Sequence, residues 1–141
     1  MYLKRNLILL FFSISFQSFA QEVAILKYNG GGDWYANPTA VPNLLEFSNK
    51  NIKTKISKDP ITVSVGSSDI FNFPLVFMTG HGNVFFTEQE AKNLRQYLIS
   101  GGCLHISDNY GLNKYIRIQL EKVFPNIKLK EIPYKGVLGF W

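Results

Sequence analysis

Leu75-Val76-Phe77-Met78-Thr79-Gly80-His81-Gly82 is the stretch on which the fold turns. Four apolar residues run without a polar interruption, the pattern of a strand covered on both faces and so of a central strand in a parallel sheet. The Thr-Gly-His-Gly that follows empties such a strand into a polar turn. Working downstream, Thr87 and Glu90 stand at capping-box spacing, Ala91, Leu94 and Leu98 line one helical face, and Gly101-Gly102 supply a stop. Cys103 to Ser107 reads as the next strand. Leu112, Ile116, Leu120 and Val123 form the stripe of a helix that ends before Pro125, and a last strand is expected from Ile127 to Ile132.

Working upstream, Ile61-Thr62-Val63-Ser64-Val65 alternates apolar and polar residues, as a half-covered strand near a sheet edge does. A helix from about Thr39 to Lys50 carries Val41, Leu44 and Leu45 at helical spacing, with Pro42 tolerated in its first turn. Val23 to Tyr28 is a first strand, halted by Gly30-Gly31-Gly32. Strand and helix alternate throughout, which selects an α/β three-layer sandwich with a mainly parallel sheet and right-handed crossovers. One joint is short. Only Ser67 to Phe73 links the second and third strands, where a parallel crossover usually takes roughly a dozen residues, so a short turn of helix or an extended link must suffice.

The first twenty residues read differently. Lys4 and Arg5 precede an apolar run from Leu7 to Phe16 and then Ser18-Phe19-Ala20, the order of a secretory signal cleaved before Gln21. The run is about half the roughly 20 residues that span a bilayer, so no stable membrane insertion is expected after cleavage. Residues 21–141 then form a single domain. Of 15 basic residues two belong to the signal, leaving a mild excess over 10 acidic ones that does not call for nucleic acid. Lys114, Arg117, Lys122, Lys128, Lys130 and Lys135 still outnumber Glu121 and Glu131 in the last third, most simply as a solvated face. Cys103 is the one cysteine, so no disulfide forms within the chain.

Ligands of open parallel sheets bind beyond the carboxyl ends of the strands. In a 2-1-3-4-5 strand order three polar turns would meet there: Gly31, Gly32, Asp33, Trp34 and Tyr35 after the first strand, Gly80, His81 and Gly82 after the third, and Asp108 and Asn109 after the fourth. Flanking glycines free the His81 imidazole to face a ligand, or His81 is simply a turn residue. Asp108 either caps the following helix, acts in the site, or does both. Trp34 and Tyr35 stack on a ligand or fold back onto the core. Neither P-loop nor G-x-G-x-x-G spacing is present, and His81, Asp33 and Asp108 lack a metal signature, so no cofactor and no metal are assigned. His105 and Cys103 are expected in the core, the histidine hydrogen-bonded and the cysteine as a small apolar residue.

Lys27 to Pro38, Thr79-Gly80-His81-Gly82, Leu94 to Leu98 and Gly101 to Asp108 together resemble the bacterial family called domain of unknown function 4159, in order from Val23 to about Pro133. That family is similar in turn to the class I glutamine-amidotransferase-like superfamily, which implies a flavodoxin-like α/β fold. In glutamine amidotransferases the strand after a Gly-Gly turn ends in an elbow bearing a nucleophilic cysteine. Ser107-Asp108-Asn109 stands here instead, so glutaminase activity is not implied. The resemblance makes His81 and Asp108 the core of any site. Family members usually continue past Gly139-Phe140-Trp141, so it also carries the expectation of a C-terminal truncation, with a strand and part of the crevice missing.

Three functions compete on these grounds. The first is an exported, non-catalytic module that binds a small polar ligand, such as a saccharide, or a partner segment. The second is a hydrolase with His81 as base and Asp108 as orienter or acid. The third is an envelope-complex protein whose working surface is the basic last third and an exposed edge strand.

Overall fold

A computed structural model of the chain describes residues 22–132; the expected signal peptide and the C-terminal residues 133–141 lie outside them. In chain order the elements are β1 (Val23–Lys27), α1 (Ala40–Asn51), β2 (Ile61–Ser64), β3 (Leu75–His81), α2 (Glu88–Ile99), β4 (Cys103–Tyr110) and α3 (Asn113–Val123). The four strands are all parallel in the order β2-β1-β3-β4, so the 2-1-3-4 part of the expected order is present and β3 lies inside the sheet. The short joint before β3 is solved by a turn of 3₁₀ helix, Ser68–Asn72, whose Ile70 is fully buried. Among the described residues no helix is long and apolar enough to cross a membrane.

Period-two alternation gives the sheet two apolar faces. Ala24, Leu26, Val63, Val76 and Met78 pack with Leu94 and Tyr97 of α2, Leu112 just before α3 and Ile116 of α3 in the larger core. Val23, Ile25, Leu75 and Phe77 meet Val41 and Leu45 of α1 in a smaller one. These are the three layers. α2 starts with the expected capping box: the Thr87 hydroxyl accepts from the Glu90 N–H at 3.2 Å, and the Glu90 carboxylate accepts from the Thr87 N–H at 2.8 Å.

Three expectations are corrected at the β4 side. Ile127–Ile132 forms no strand; Ile127, Leu129 and Ile132 stay exposed, and β4 ends the described sheet. Its apolar alternation finds no ladder to join, and a strand exists only by pairing. Cys103 and His105 are exposed rather than in the core. The reason is that α1 covers β1 and β3 but leaves the same face of β4 open, where the His105 ring stacks on Phe77 with centroids 5.2 Å apart.

Tyr97 ties the amino ends of β3 and β4 together. Its buried hydroxyl lies 2.9 Å from the Phe73 carbonyl and 3.0 Å from that of Cys103, and burial pushes its pKa up. The ring lies flat against Gly102, where any Cβ would collide with it. Tyr97→Phe should therefore cost about 1–2 kcal/mol by leaving buried carbonyls short of a donor. Gly102→Ala should cost more, because the ring has to move; urea unfolding midpoints at constant slope measure both.

Candidate functional site

The carboxyl ends of β1, β3 and β4 share one rim, as a parallel sheet requires, but the rim is built from longer strands than the apolar pattern indicates. β3 continues through Thr79-Gly80 to His81, and β4 through Asp108-Asn109 to Tyr110. Gly80 pairs with Asp108 whereas His81 pairs with Tyr110, so Asn109 is the extra residue of a β-bulge. A bulge re-aims its side chain. That of Asn109 reaches the His81 ring.

The turn after β1 is stitched onto the segment after β3. The Phe85 N–H donates to the Asn29 carbonyl at 2.7 Å and the Gly32 N–H to the Asn83 carbonyl at 2.9 Å. Contact this close needs Gly32 and Gly80. A Cβ at either would strike the Tyr28 hydroxyl, and Gly80 moreover has φ 151°. The Tyr28 hydroxyl donates to the Thr79 carbonyl at 3.0 Å. Burial first, and the Asp33 charge second, push its pKa up to about 12, so it remains a neutral donor.

Asp33 and His81 are joined by three short contacts. The His81 backbone N–H donates to Asp33 Oδ1 at 2.7 Å, and Nδ1 lies 2.8 Å from Oδ1 and 2.6 Å from Oδ2. An ionised carboxylate only accepts, so Nδ1 carries a proton. In the neutral ring Nε2 is then the acceptor, and the Asn109 amide donates to it at 2.9 Å. The imidazole is fixed from both sides while its side chain stays 46% exposed. The His81 N–H, helped by the ring contact and opposed by desolvation, lowers the Asp33 pKa below the usual carboxylate value.

Asp108 does something else. Its Oδ1 accepts from the Leu112 N–H at 2.9 Å and its Oδ2 from the Asn113 N–H at 3.0 Å, which caps α3. The partner of His81 is thus Asp33, and the expected pairing of His81 with Asp108 is not among the hydrogen bonds of the rim. The grouping of His81, Asp33 and Asp108 as metal ligands is not assembled either: among the described residues no three His, Cys, Asp or Glu side chains gather. Gly31 is exposed, and Gly82 donates to the Tyr110 carbonyl at 3.2 Å, so both shape the turns.

Trp34 and Tyr35 divide the two roles open to them. Trp34 is partly buried against the larger core under the Lys27 ammonium, and Tyr35 stands edge-on to it, 66% exposed. Tyr110, beside His81 in the ladder and 81% exposed, lies in the rim segment expected after the fourth strand, but sequence reasoning assigned it no role of its own. Tyr28 was missed, although an aromatic with a polar tip at the end of an apolar strand signals a buried donor. No Ser, Thr or Cys side chain hydrogen-bonds His81 among the described residues. Thr79, two residues before it, is buried with its hydroxyl unpartnered. Cys103 opens β4 at the far end of the strand from Tyr110, about 23 Å away at 3.3 Å per residue.

The lowered Asp33 pKa fixes the sign of a pH effect. Unfolded, the carboxyl takes up its proton near its ordinary value of about 3.9, before the folded form does. Its contribution is therefore present above that range and lost as pH falls through the lower folded value. Asp33→Asn should flatten the acid limb of the plot of Tm against pH and leave the limb above pH 6 parallel to wild type, as read by thermal unfolding.

A comparison with known protein families matches residues 22–139 to the family described as Domain of unknown function (DUF4159). No match to the chain is found among curated proteins. With the match spanning nearly all of the domain, from the residue before β1 onward, the chain belongs to the DUF4159 family.

Proposed function

We propose that this is an exported, non-catalytic module that binds a small, neutral, polar ligand at the rim formed by Asp33, His81 and Asn109. One observation carries the reading: both ring nitrogens of His81 are engaged, Nδ1 by a carboxylate and Nε2 by an amide rather than by a nucleophile. An imidazole held this way is an oriented recognition group. The exposed ring of Tyr35 lies two residues after Asp33 and that of Tyr110 on the residue paired with His81, and aromatic faces together with carboxylate, amide and imidazole groups suit a saccharide.

A second reading has its own support. The Asp33–His81 contact is the orienter-and-base half of a hydrolytic relay, with Asp33 in the place first expected of Asp108. A ligand hydroxyl that displaced the Asn109 amide would find Nε2 ready to accept its proton. Placement in the class I glutamine-amidotransferase-like superfamily is supported by the β2-β1-β3-β4 order and by Ser107-Asp108-Asn109 at the end of β4. It remains a proposal about ancestry, since the cysteine of that elbow is replaced.

Export rests on the charged, apolar and small-residue order of residues 1–20. Expression in a Gram-negative host should yield a secreted product whose amino-terminal residue is Gln21, and Ala20→Arg should leave uncleaved precursor; amino-terminal sequencing reads the result.

The ligand is tested by calorimetric titration with a panel of neutral mono- and disaccharides. Binding should weaken at least tenfold in His81→Ala, equivalent to about 1.4 kcal/mol. Asp108→Ala should instead lower stability by about 1 kcal/mol through loss of the α3 cap and leave affinity unchanged. Saturable binding that ignores His81 removes the rim as the site. Turnover of a p-nitrophenyl ester that disappears in His81→Ala and in Asp33→Asn would favour the hydrolase.

A further inference from the structure

On the β4 side of the molecule lies a groove of about 750 Å³ whose lining contains none of Asp33, His81 and Asn109. Leu98, Leu104, Ile106, Leu120, Phe124 and Leu129 line it, so it is apolar at its floor and along its walls. Leu104 and Ile106 belong to β4, and β4 is the last strand of the described sheet. Among the described residues one row of its backbone N–H and C=O groups is therefore without a strand partner beside the groove. Open edges of this length are normally guarded by lysine, proline or an inward charge. Within Cys103–Tyr110 the one formal charge is Asp108, and it is spent on the α3 cap. The bulge at Asn109 blunts the rim end alone.

The charge around the groove has a sign. Arg117 and Lys128 stand at its lip against Glu121, with Lys114 one turn before Arg117 on α3 and Lys130 two residues beyond Lys128; Glu131 follows Lys130, so four cations stand against two carboxylates. Among the described residues the ion pairs are Lys58 with Glu46 and His81 with Asp33; none of these four cations has a carboxylate partner. Arg117 donates to the neutral Asn113 side chain at 2.6 Å, and Lys114 sits over the Tyr115 ring. Cations left without counter-charge beside desolvated apolar surface complement an acidic partner.

We propose that this groove and the β4 edge together bind an extended, acidic segment of a partner protein, added to the sheet as a fifth strand. The open ladder supplies main-chain hydrogen bonds. Apolar side chains of the segment enter the groove, and acidic ones two residues away on the same face meet Arg117 and Lys128. Strand geometry makes these requirements compatible, because residues two apart share a face and the period of two matches the spacing of Leu104 and Ile106.

The test uses the purified full chain and two labelled octapeptides, (Glu-Thr-Val-Thr)2 and (Lys-Thr-Val-Thr)2, which carry the charge and the valine on one strand face, followed by fluorescence anisotropy. (Glu-Thr-Val-Thr)2 should bind saturably, at least tenfold more tightly than (Lys-Thr-Val-Thr)2, and weaken as salt is raised. The surface double variant Arg117→Glu/Lys128→Glu should reverse the preference without loss of folding, and Leu129→Ser should weaken both peptides. Cys103, the one thiol and exposed at the start of β4, carries a bimane reporter whose emission should shift when (Glu-Thr-Val-Thr)2 is seated. Four results would overturn the proposal: no saturable binding; equal binding of both peptides; anisotropy without a bimane response, which places the peptide elsewhere; or self-association through β4, which makes a second copy the occupant. A tenfold gain in peptide affinity on deleting residues 133–141 would likewise overturn it, by assigning the groove to the chain's own end.

Discussion

The Asp33 carboxylate receives two donors from a single residue, the main-chain N–H and the ring Nδ1 of His81, and the architecture of the rim depends on that attachment. The main-chain bond fixes where the turn after β1 sits against the end of β3. The ring bond fixes the imidazole relative to the same carboxylate. A side chain anchored through its own backbone and its own tip has little rotamer freedom left, so most of the ordering entropy is spent before any ligand arrives. That is the physical content of a pre-organised site, and it does not depend on whether the site binds or hydrolyses.

The attachment is possible because of what lies beneath it. Tyr28 ends the apolar run of β1 and places its hydroxyl in the space that side chains at positions 32 and 80 would occupy. Two glycines and one tyrosine form a single packing unit in which the phenol satisfies the Thr79 carbonyl. A larger residue at either glycine would lift the turn off β3 and break the Asp33 contacts with it. The glycines around His81 are thus explained by the Tyr28 ring and by the bend at Gly82, without appeal to a bound phosphate.

Much of the fold is legible in the residues, because it rests on local periodicity and on caps. The unbroken run of β3, the Thr87 and Glu90 box and the stripe of α3 each report one element and its exposed or buried face. What is not legible depends on pairing. Thr79-Gly80-His81 and Asp108-Asn109-Tyr110 are polar, and polarity alone reads as turn, yet ladder bonds carry both through as strand. Ile127–Ile132 has the alternation of a strand and joins no ladder among the described residues. Cys103 and His105 carry the composition of a core and lie on the one strand face that α1 does not reach. The partner of His81 was hidden for the same reason: Asp33 is 48 residues away, and only the stitching of two turns brings it close.

Asp33 and Asp108 show how far residue type falls short of role. Asp33 follows a parallel strand and Asp108 lies near the end of one, both stand at the same rim of the sheet, and both accept backbone N–H bonds. The difference is what comes next in the chain. After Asp108 the backbone passes Gly111 and turns into α3, whose first unpaired N–H groups lie four and five residues on and draw both carboxylate oxygens. After Asp33 no helix begins until Ala40, so its oxygens remain free for the residue across the sheet. A helix that starts directly after a strand claims the nearest carboxylate for its own cap, and the acid that orients a histidine at such a rim must then come from a strand followed by a longer turn. The division of labour between the two aspartates is set by loop length, which the sequence displays openly, once capping is counted as a competitor for the side chain.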